Sequence, residues 1–217
     1  MTDTVQQSLD RGLLTITMNR PDRRNAIKAE MSAGLIDAAR RAADDSEVRA
    51  ILLRGANGTF CVGGDVKSMA ENKSTLSYEA KRENLRRGME ISRLLHVMPK
   101  PVVAQIEGAA AGAGLSIALS CDLRVASASA KITTAFAKVG FSGDYGGTYF
   151  LTQMLGSAKA RELYLMSPVL TAQEALALGM VTKVVPDTEV GNVATELAMS
   201  LAQGPTVTLG YIKRNIN

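Results

Sequence analysis

Histidine occurs once in this 217-residue chain, at position 96, and cysteine twice, at positions 61 and 121. The two cysteines form no CxxC pair, so the donor set of a zinc site is nearly excluded and both thiols read as reduced and structural. Long apolar runs are also missing. The longest small apolar stretch, Gly108 to Cys121, falls short of the roughly 20 residues a membrane span needs. Met1-Thr2-Asp3-Thr4 lacks the basic and apolar regions of a signal peptide, which points to a soluble cytoplasmic protein without a membrane partner. Charge of one sign is not concentrated: Lys+Arg 25 against Asp+Glu 21 gives +4 with no basic block. That balance allows weak attraction to an anionic ligand but does not argue for nucleic acid. A disulfide or metal is not needed for folding, because a chain of this length buries roughly 70% of its unfolded surface.

Glycine is where the sequence becomes informative. Gly55-Ala56-Asn57-Gly58-Thr59-Phe60-Cys61-Val62-Gly63-Gly64-Asp65 and Gly108-Ala109-Ala110-Ala111-Gly112-Ala113-Gly114 each follow an apolar run and lead into a helix-like stretch. Such loops bare their backbone N–H groups, and a helix N-terminus adds a positive dipole end, so together they suit a developing anion. Neither loop fits Gly-x-Gly-x-x-Gly or ends in Gly-Lys-Ser/Thr, so the usual dinucleotide and P-loop signatures are absent. Taken singly, each loop is equally readable as a tight structural turn.

Strands alternate with helices along the chain. Gly12 to Met18 alternates apolar and polar residues, Val48 to Leu53 is a short apolar run, and Pro101 to Ile106 and Leu123 to Ala126 read as further strands. Helical spacing links Ala29, Met31, Leu35, Ile36, Ala39 and Ala43. A second helical pattern runs from about Tyr78 to Met98 and is stopped by Pro99 and Pro101. Leu115 to Leu119, Gly147 to Leu155, Ser157 to Met166 and Thr171 to Leu178 are also expected as helices, the last opening with a Thr171-x-x-Glu174 capping box. The pattern is that of an α/β fold, with one compact domain as the default.

The chain resembles the crotonase (enoyl-CoA hydratase/isomerase) superfamily. The resemblance rests on Asn19 to Ile27, Phe60 to Val66, Ile106 to Gly114, Cys121 to Ala126, and Val139 through Thr148. It implies a spiral of repeated ββα units with C-terminal helices, acting on an acyl-CoA thioester in trimers or paired trimers. Coenzyme A then arrives as part of the substrate, and no prosthetic group is called for. The thioester oxygen would sit between the backbone N–H groups of Gly64 and Ala113. Arg24 and Ala26 match the segment passing the adenine and pantetheine, and Val62, Asp65 and Val66 line the matching loop. For Arg24 the alternative is a solvated loop arginine.

Departures from the hydratase pattern bear on the reaction. The two glutamates that hydratases of this family use to activate water are replaced, by register, with Ser116 and Phe136. Neither can act as a carboxylate base, and losing a general acid or base typically costs about 10²–10⁴ in rate. Asp144 resembles instead the aspartate of members that move double bonds, including epoxyphenylacetyl-CoA-type isomerases and aroyl-CoA dehalogenases. It is the catalytic candidate, and the alternative is an N-cap for a helix beginning near Tyr145. A dry site would favour its neutral form.

His96 lies later than the dehalogenase histidine position, where Met89 stands, and reads as a helix-terminal or core residue, which disfavours dehalogenation. Cys61 has no base partner in the sequence. Met69, Leu85, Met89, Phe136, Phe141 and Tyr145 are candidate pocket walls, and equally ordinary core. The expected reaction is migration of a β,γ double bond into conjugation. Hydration, ring isomerisation of an aromatic-derived CoA ester, and a non-catalytic crotonase-fold binder are the alternatives. Residues 1–203 are expected to form the acyl-CoA-binding catalytic domain. Residues 204–217 are expected as a linker into the start of a C-terminal helical region that the resemblance continues further.

Overall fold

The computed structural model describes residues 3–66 and 76–217. Strand β1 (Val5–Asp10) pairs antiparallel with β2 (Leu13–Met18) across Arg11-Gly12. Both turn residues have positive φ, 46° and 84°, as a tight hairpin of this hand requires. β1 has no counterpart in the sequence reading, because its residues after Val5 are exposed and carry no apolar alternation.

β2 continues in parallel to β3 (Ala50–Gly55), β4 (Val102–Ile106), β6 (Leu123–Ser127) and β9 (Lys183–Val185), which completes a six-stranded sheet. A parallel sheet is covered on both faces, so its strands read as continuous apolar runs. In β3 the alternation sorts them: Ala50 and Leu52 face one core cluster, Ile51 and Leu53 the other. The larger cluster packs against α1 (Ala29–Asp44), α2 (Tyr78–Val97) and α3 (Ala113–Ser120). The smaller cluster is closed by α6 (Val190–Ala202) through Val190, Ala194, Ala198 and Ala202.

A second, three-stranded sheet joins β5 (Ala109–Ala111), β7 (Lys131–Thr133) and β8 (Leu170–Thr171). β5 lies inside the second glycine loop, which therefore belongs to a sheet edge rather than to a free turn. The two helices expected between Gly147 and Met166 are present as the two halves of α4 (Gly147–Met166), broken at Gly156, where φ 75° and ψ 161° leave helical space. α5 (Ala172–Ala177) carries the expected capping box, with Thr171 and Glu174 bonded reciprocally.

The segment after Gly204 is helical, as expected of the start of a C-terminal helical region, and passes into the helix without a longer linker. It is an 11-residue helix, α7 (Thr206–Ile216), docked on the body. Lys213 is nearly buried, and its Nζ donates to the carbonyls of Leu95 (2.7 Å) and Lys100 (3.2 Å) and to Asp122 Oδ2 (2.8 Å). The same carboxylate oxygen accepts the Val102 N–H at 2.7 Å. Lys213→Met would leave Asp122 without its cation. Because Asp122 keeps some solvent, the expected loss is about 2 kcal/mol, below the range for fully buried pairs, read as a lower urea midpoint at unchanged slope.

Candidate active site

The loop between β2 and α1 is built by an unusual backbone. A 3₁₀ turn at Pro21–Arg23 is followed by two left-handed residues, Arg24 (φ 47°) and Asn25 (φ 57°). Asparagine tolerates that region, and here its side chain is fully used. Asn25 Oδ1 accepts the Arg20 N–H, while Nδ2 donates to the carbonyls of Ala56 (3.0 Å) and Thr59 (2.6 Å). The fully buried Asn25 thus clamps this loop to the first glycine loop. The sequence reading quoted Asn25 only within a motif. Its signal was an asparagine at the end of an arginine-rich turn, a residue type suited to φ > 0.

The first glycine loop is held from both sides. Ile27 pairs with Gly64 as a parallel bridge, the Ile27 N–H donating to Gly63 O (2.7 Å) and the Asp65 N–H to Ile27 O (3.1 Å). Strand alternation therefore turns the Gly64 N–H away from Ile27. Cys61 pairs in parallel with Ala110, through Cys61 N–H to Ala109 O and Ala111 N–H to Cys61 O. The two glycine loops, expected to act together on one anion, are thereby zipped together.

Ala113 is the first residue of α3, where an N–H has no intrahelical acceptor. A Cβ placed on Gly63 would come within 3.4 Å of the Ala113 nitrogen, so the loop carrying Gly64 abuts this helix start. Gly114 lets the loops close: a Cβ there would overlap the Cys61 carbonyl oxygen and lie 2.7 Å from the Cys61 Cβ.

Arg24, Ala26, Val62, Asp65 and Val66 line one cleft of about 290 Å³, together with Asp22, Arg23 and Gly64. Asp65 does more than lend backbone, since its carboxylate pairs with Arg20 at 2.9 Å where both side chains are mostly buried. Arg20 also donates to Ala26 O, so this ion pair ties the two walls of the cleft.

Asp144 sits in the turn before α4. The helix is N-capped by Gly146 without a side-chain bond, so the alternative capping role for Asp144 is not what its carboxyl does. Oδ1 is buried and has no hydrogen-bond partner among the described residues. Burial pushes the carboxyl up to about 6. The next residue, Tyr145, is held in left-handed backbone (φ 51°), and its hydroxyl meets Ser32 Oγ at 3.1 Å.

Asp144 reaches the glycine loops through aromatic packing. A Cβ on Gly112 would lie 3.9 Å from both Gly63 Cα and the Phe136 ring. Phe136 stacks on Tyr164 with centroids 6.0 Å apart and planes at 6°. The Tyr164 ring presses on Gly143, where a Cβ would fall 2.8 Å away. A chain of packing contacts thus links the glycine loops, through the two rings, to the turn that carries Asp144. Ser116 and Phe136 are both buried there, so no carboxylate occupies either position.

Of the other candidates, Met89 packs against the larger core cluster, Leu85 and Phe141 are exposed, and Met69 lies outside the described residues. His96 stands edge-on to Tyr149 and Phe150 and lines a different cavity of about 530 Å³, with burial lowering its basicity. Cys61 is fully buried, and desolvation raises its thiol to about 12, which leaves no thiolate to react. Among the described residues no group of three or more His, Cys, Asp or Glu side chains could hold a metal ion, and no helix is long and apolar enough to cross a membrane.

A mostly parallel sheet that delivers two glycine loops to one point, with helices over both faces, is the architecture of the crotonase superfamily. Within it, the chain belongs to the enoyl-CoA hydratase/isomerase family, whose model matches residues 8–217. It is 36% identical over 217 residues to the 1,2-epoxyphenylacetyl-CoA isomerase of Escherichia coli (strain K12), covering all of this chain and 83% of that protein. It is 33% identical over 211 residues to a probable enoyl-CoA hydratase of Rhodobacter capsulatus, covering 97% of this chain and 80% of that one. A crystal structure of an enoyl-CoA hydratase from Polaromonas sp. JS666 superposes with a TM-score of 0.92 at 32% identity, covering 98% of this chain and 82% of that one.

Proposed function

We propose that the protein isomerises a β,γ-unsaturated acyl-CoA to the α,β-enoyl-CoA through a thioester enolate. The observation that carries this reading is Asp144, whose carboxyl oxygen Oδ1 is buried without a partner among the described residues and whose affinity for protons is raised by burial, to about 6. The N–H groups of Gly64 and Ala113 hold the thioester oxygen, each worth on the order of 10²–10³ in rate. Asp144 takes a proton from the α carbon, a dienolate forms, and the same acid returns the proton to the γ carbon. The CoA portion runs through the cleft of Arg24, Ala26, Val62, Asp65 and Val66, where Arg23 and Arg24 suit its phosphates. Ring isomerisation of an aromatic CoA ester, suggested by the name of the Escherichia coli relative, would use the same base and donors.

Hydration is the second reading, favoured by the description of the Rhodobacter capsulatus relative. With Ser116 and Phe136 at the glutamate positions, it would need Asp144 to activate the water.

Mixing the protein with a β,γ-enoyl-CoA should raise the absorbance of the conjugated thioester, and mixing it with the α,β-isomer should leave that absorbance unchanged. Decay of the α,β-isomer alone would favour the hydratase, and silence in both would count against both. Because the base must be ionised, kcat/KM is expected to fall about tenfold per pH unit below about 6 and to be flat above it. A profile flat down to pH 5 would remove Asp144 as the base.

A further inference from the structure

The peptide group between Gly112 and Ala113 faces two ways. Its N–H is the Ala113 donor, while its carbonyl oxygen accepts from Ser116 twice, from the backbone N–H at 3.0 Å and from the hydroxyl at 3.2 Å. Ser116 is only 1% exposed, so no water competes for that hydroxyl bond.

Tyr164 stands behind it. Its hydroxyl oxygen and Ser116 Oγ both crowd the bare Cα of Gly147, where a Cβ would overlap each of them. The Ser116 proton is spent on Gly112 O, so of the two hydroxyls only that of Tyr164 has a proton to direct at the other. Burial pushes the Tyr164 phenol up to about 12, which keeps it protonated at working pH. The stack on Phe136 holds the ring in place.

A carbonyl that accepts hydrogen bonds draws electron density from its own amide nitrogen and makes the N–H a stronger donor. In chains of such bonds the strengthening is about 10–30% per bond. We propose that Ser116, backed by Tyr164, is a positioning residue for the oxyanion hole. It fixes and polarises the Gly112–Ala113 peptide so that the Ala113 N–H meets the thioester oxygen. This rests on the reading of Ala113 as an oxyanion donor, and it is independent of which residue is the base. A serine at a position where hydratases carry a carboxylate thus has its own task. It replaces an acid–base group with a neutral brace for the electrophilic half of the site.

The test is the absorbance band of a conjugated dienoyl-CoA bound to the protein in the Asp144→Asn background, where the proposed turnover is blocked. Polarisation of the thioester carbonyl moves this band to longer wavelength without any reaction. The parent protein is expected to show the shift, Ser116→Ala to lose part of it, and Tyr164→Phe to lose a smaller part. With Asp144 intact, 10–30% of a donor worth 10²–10³ corresponds to a fall in kcat of about 2- to 8-fold for Ser116→Ala, at a KM within about twofold. A full shift in both variants overturns the proposal, and should Ser116→Ala not fold, Tyr164→Phe decides alone. Absence of a shift in the parent complex removes the oxyanion role of Ala113 and this inference with it. If instead Asp144→Asn turns over normally, the base assignment fails while a diminished shift in Ser116→Ala still supports the brace.

Discussion

Asp144→Asn is expected to lower kcat/KM for double-bond migration by about 10²–10⁴, because the amide keeps the shape of the carboxyl and cannot accept a proton. Acyl-CoA binding should change little, since the cleft residues and both backbone donors are untouched. The same substitution has a second expected consequence that separates a functional carboxyl from a structural one. The folded protein holds the Asp144 proton up to about 6, whereas the unfolded chain releases it near the ordinary 3.8. Between those values the native state binds more protons, so the charge makes folding less favourable as pH rises, and the deficit persists above about 6. That difference corresponds to at most about 3 kcal/mol, and the partial exposure of the side chain reduces this to about 1 kcal/mol. Asp144→Asn should therefore be the more stable protein at pH 7.5, with the difference vanishing below pH 4, as compared by urea midpoints. A variant that is inactive and also less stable at pH 7.5 would mark Asp144 as a structural residue, because only a functional demand explains keeping a destabilising charge.

Gly114→Ala carries the other large expected effect. The added methyl has nowhere to go, since its neighbours are the Cys61 carbonyl oxygen and Cβ rather than the end of a flexible side chain. Relief requires the loop of Gly63 and Gly64 to move off the start of α3, which misaligns two donors that must converge on one oxygen. We expect kcat to fall by about 10²–10³, the worth of one oxyanion donor, with about 1–3 kcal/mol lost from overpacking. Gly140→Ala is the control. No atom lies within 4 Å of its Cβ position, so only the positive φ of 74° resists the change and activity should be retained. Equal kinetic losses in the two variants would mean that loop contact does not set the donor geometry.

How far these features were legible in the sequence depends on the range of the forces behind them. β2, β3, β4 and β6 stood out because burial on both faces makes a central parallel strand apolar throughout. α1 and α2 stood out by helical spacing and by the prolines after α2. β1 did not, because its partner is supplied by a hairpin and its side chains face solvent. The helix after Gly204 was legible as a helix start, but its docking was not, because its anchor is Lys213, a residue that local pattern assigns to the surface. It is buried only because Leu95, Lys100 and Asp122 converge on its ammonium from elsewhere in the chain.

The candidate site divides in the same way. By itself the sequence determined the α/β alternation, the two glycine loops, and the presence of Ser116, Phe136 and Asp144. These follow from residue identity and from interactions within a few positions. Only the tertiary structure decided that Cys61 and Ala110 zip the loops together, that Asn25 clamps them from below, that Ser116 and Tyr164 meet at Gly147, and that Asp144 Oδ1 is left without a partner. The reason is physical. Propensity acts between neighbours in the chain, whereas desolvation and the pairing of distant backbone groups exist only once the sheet has brought the loops together.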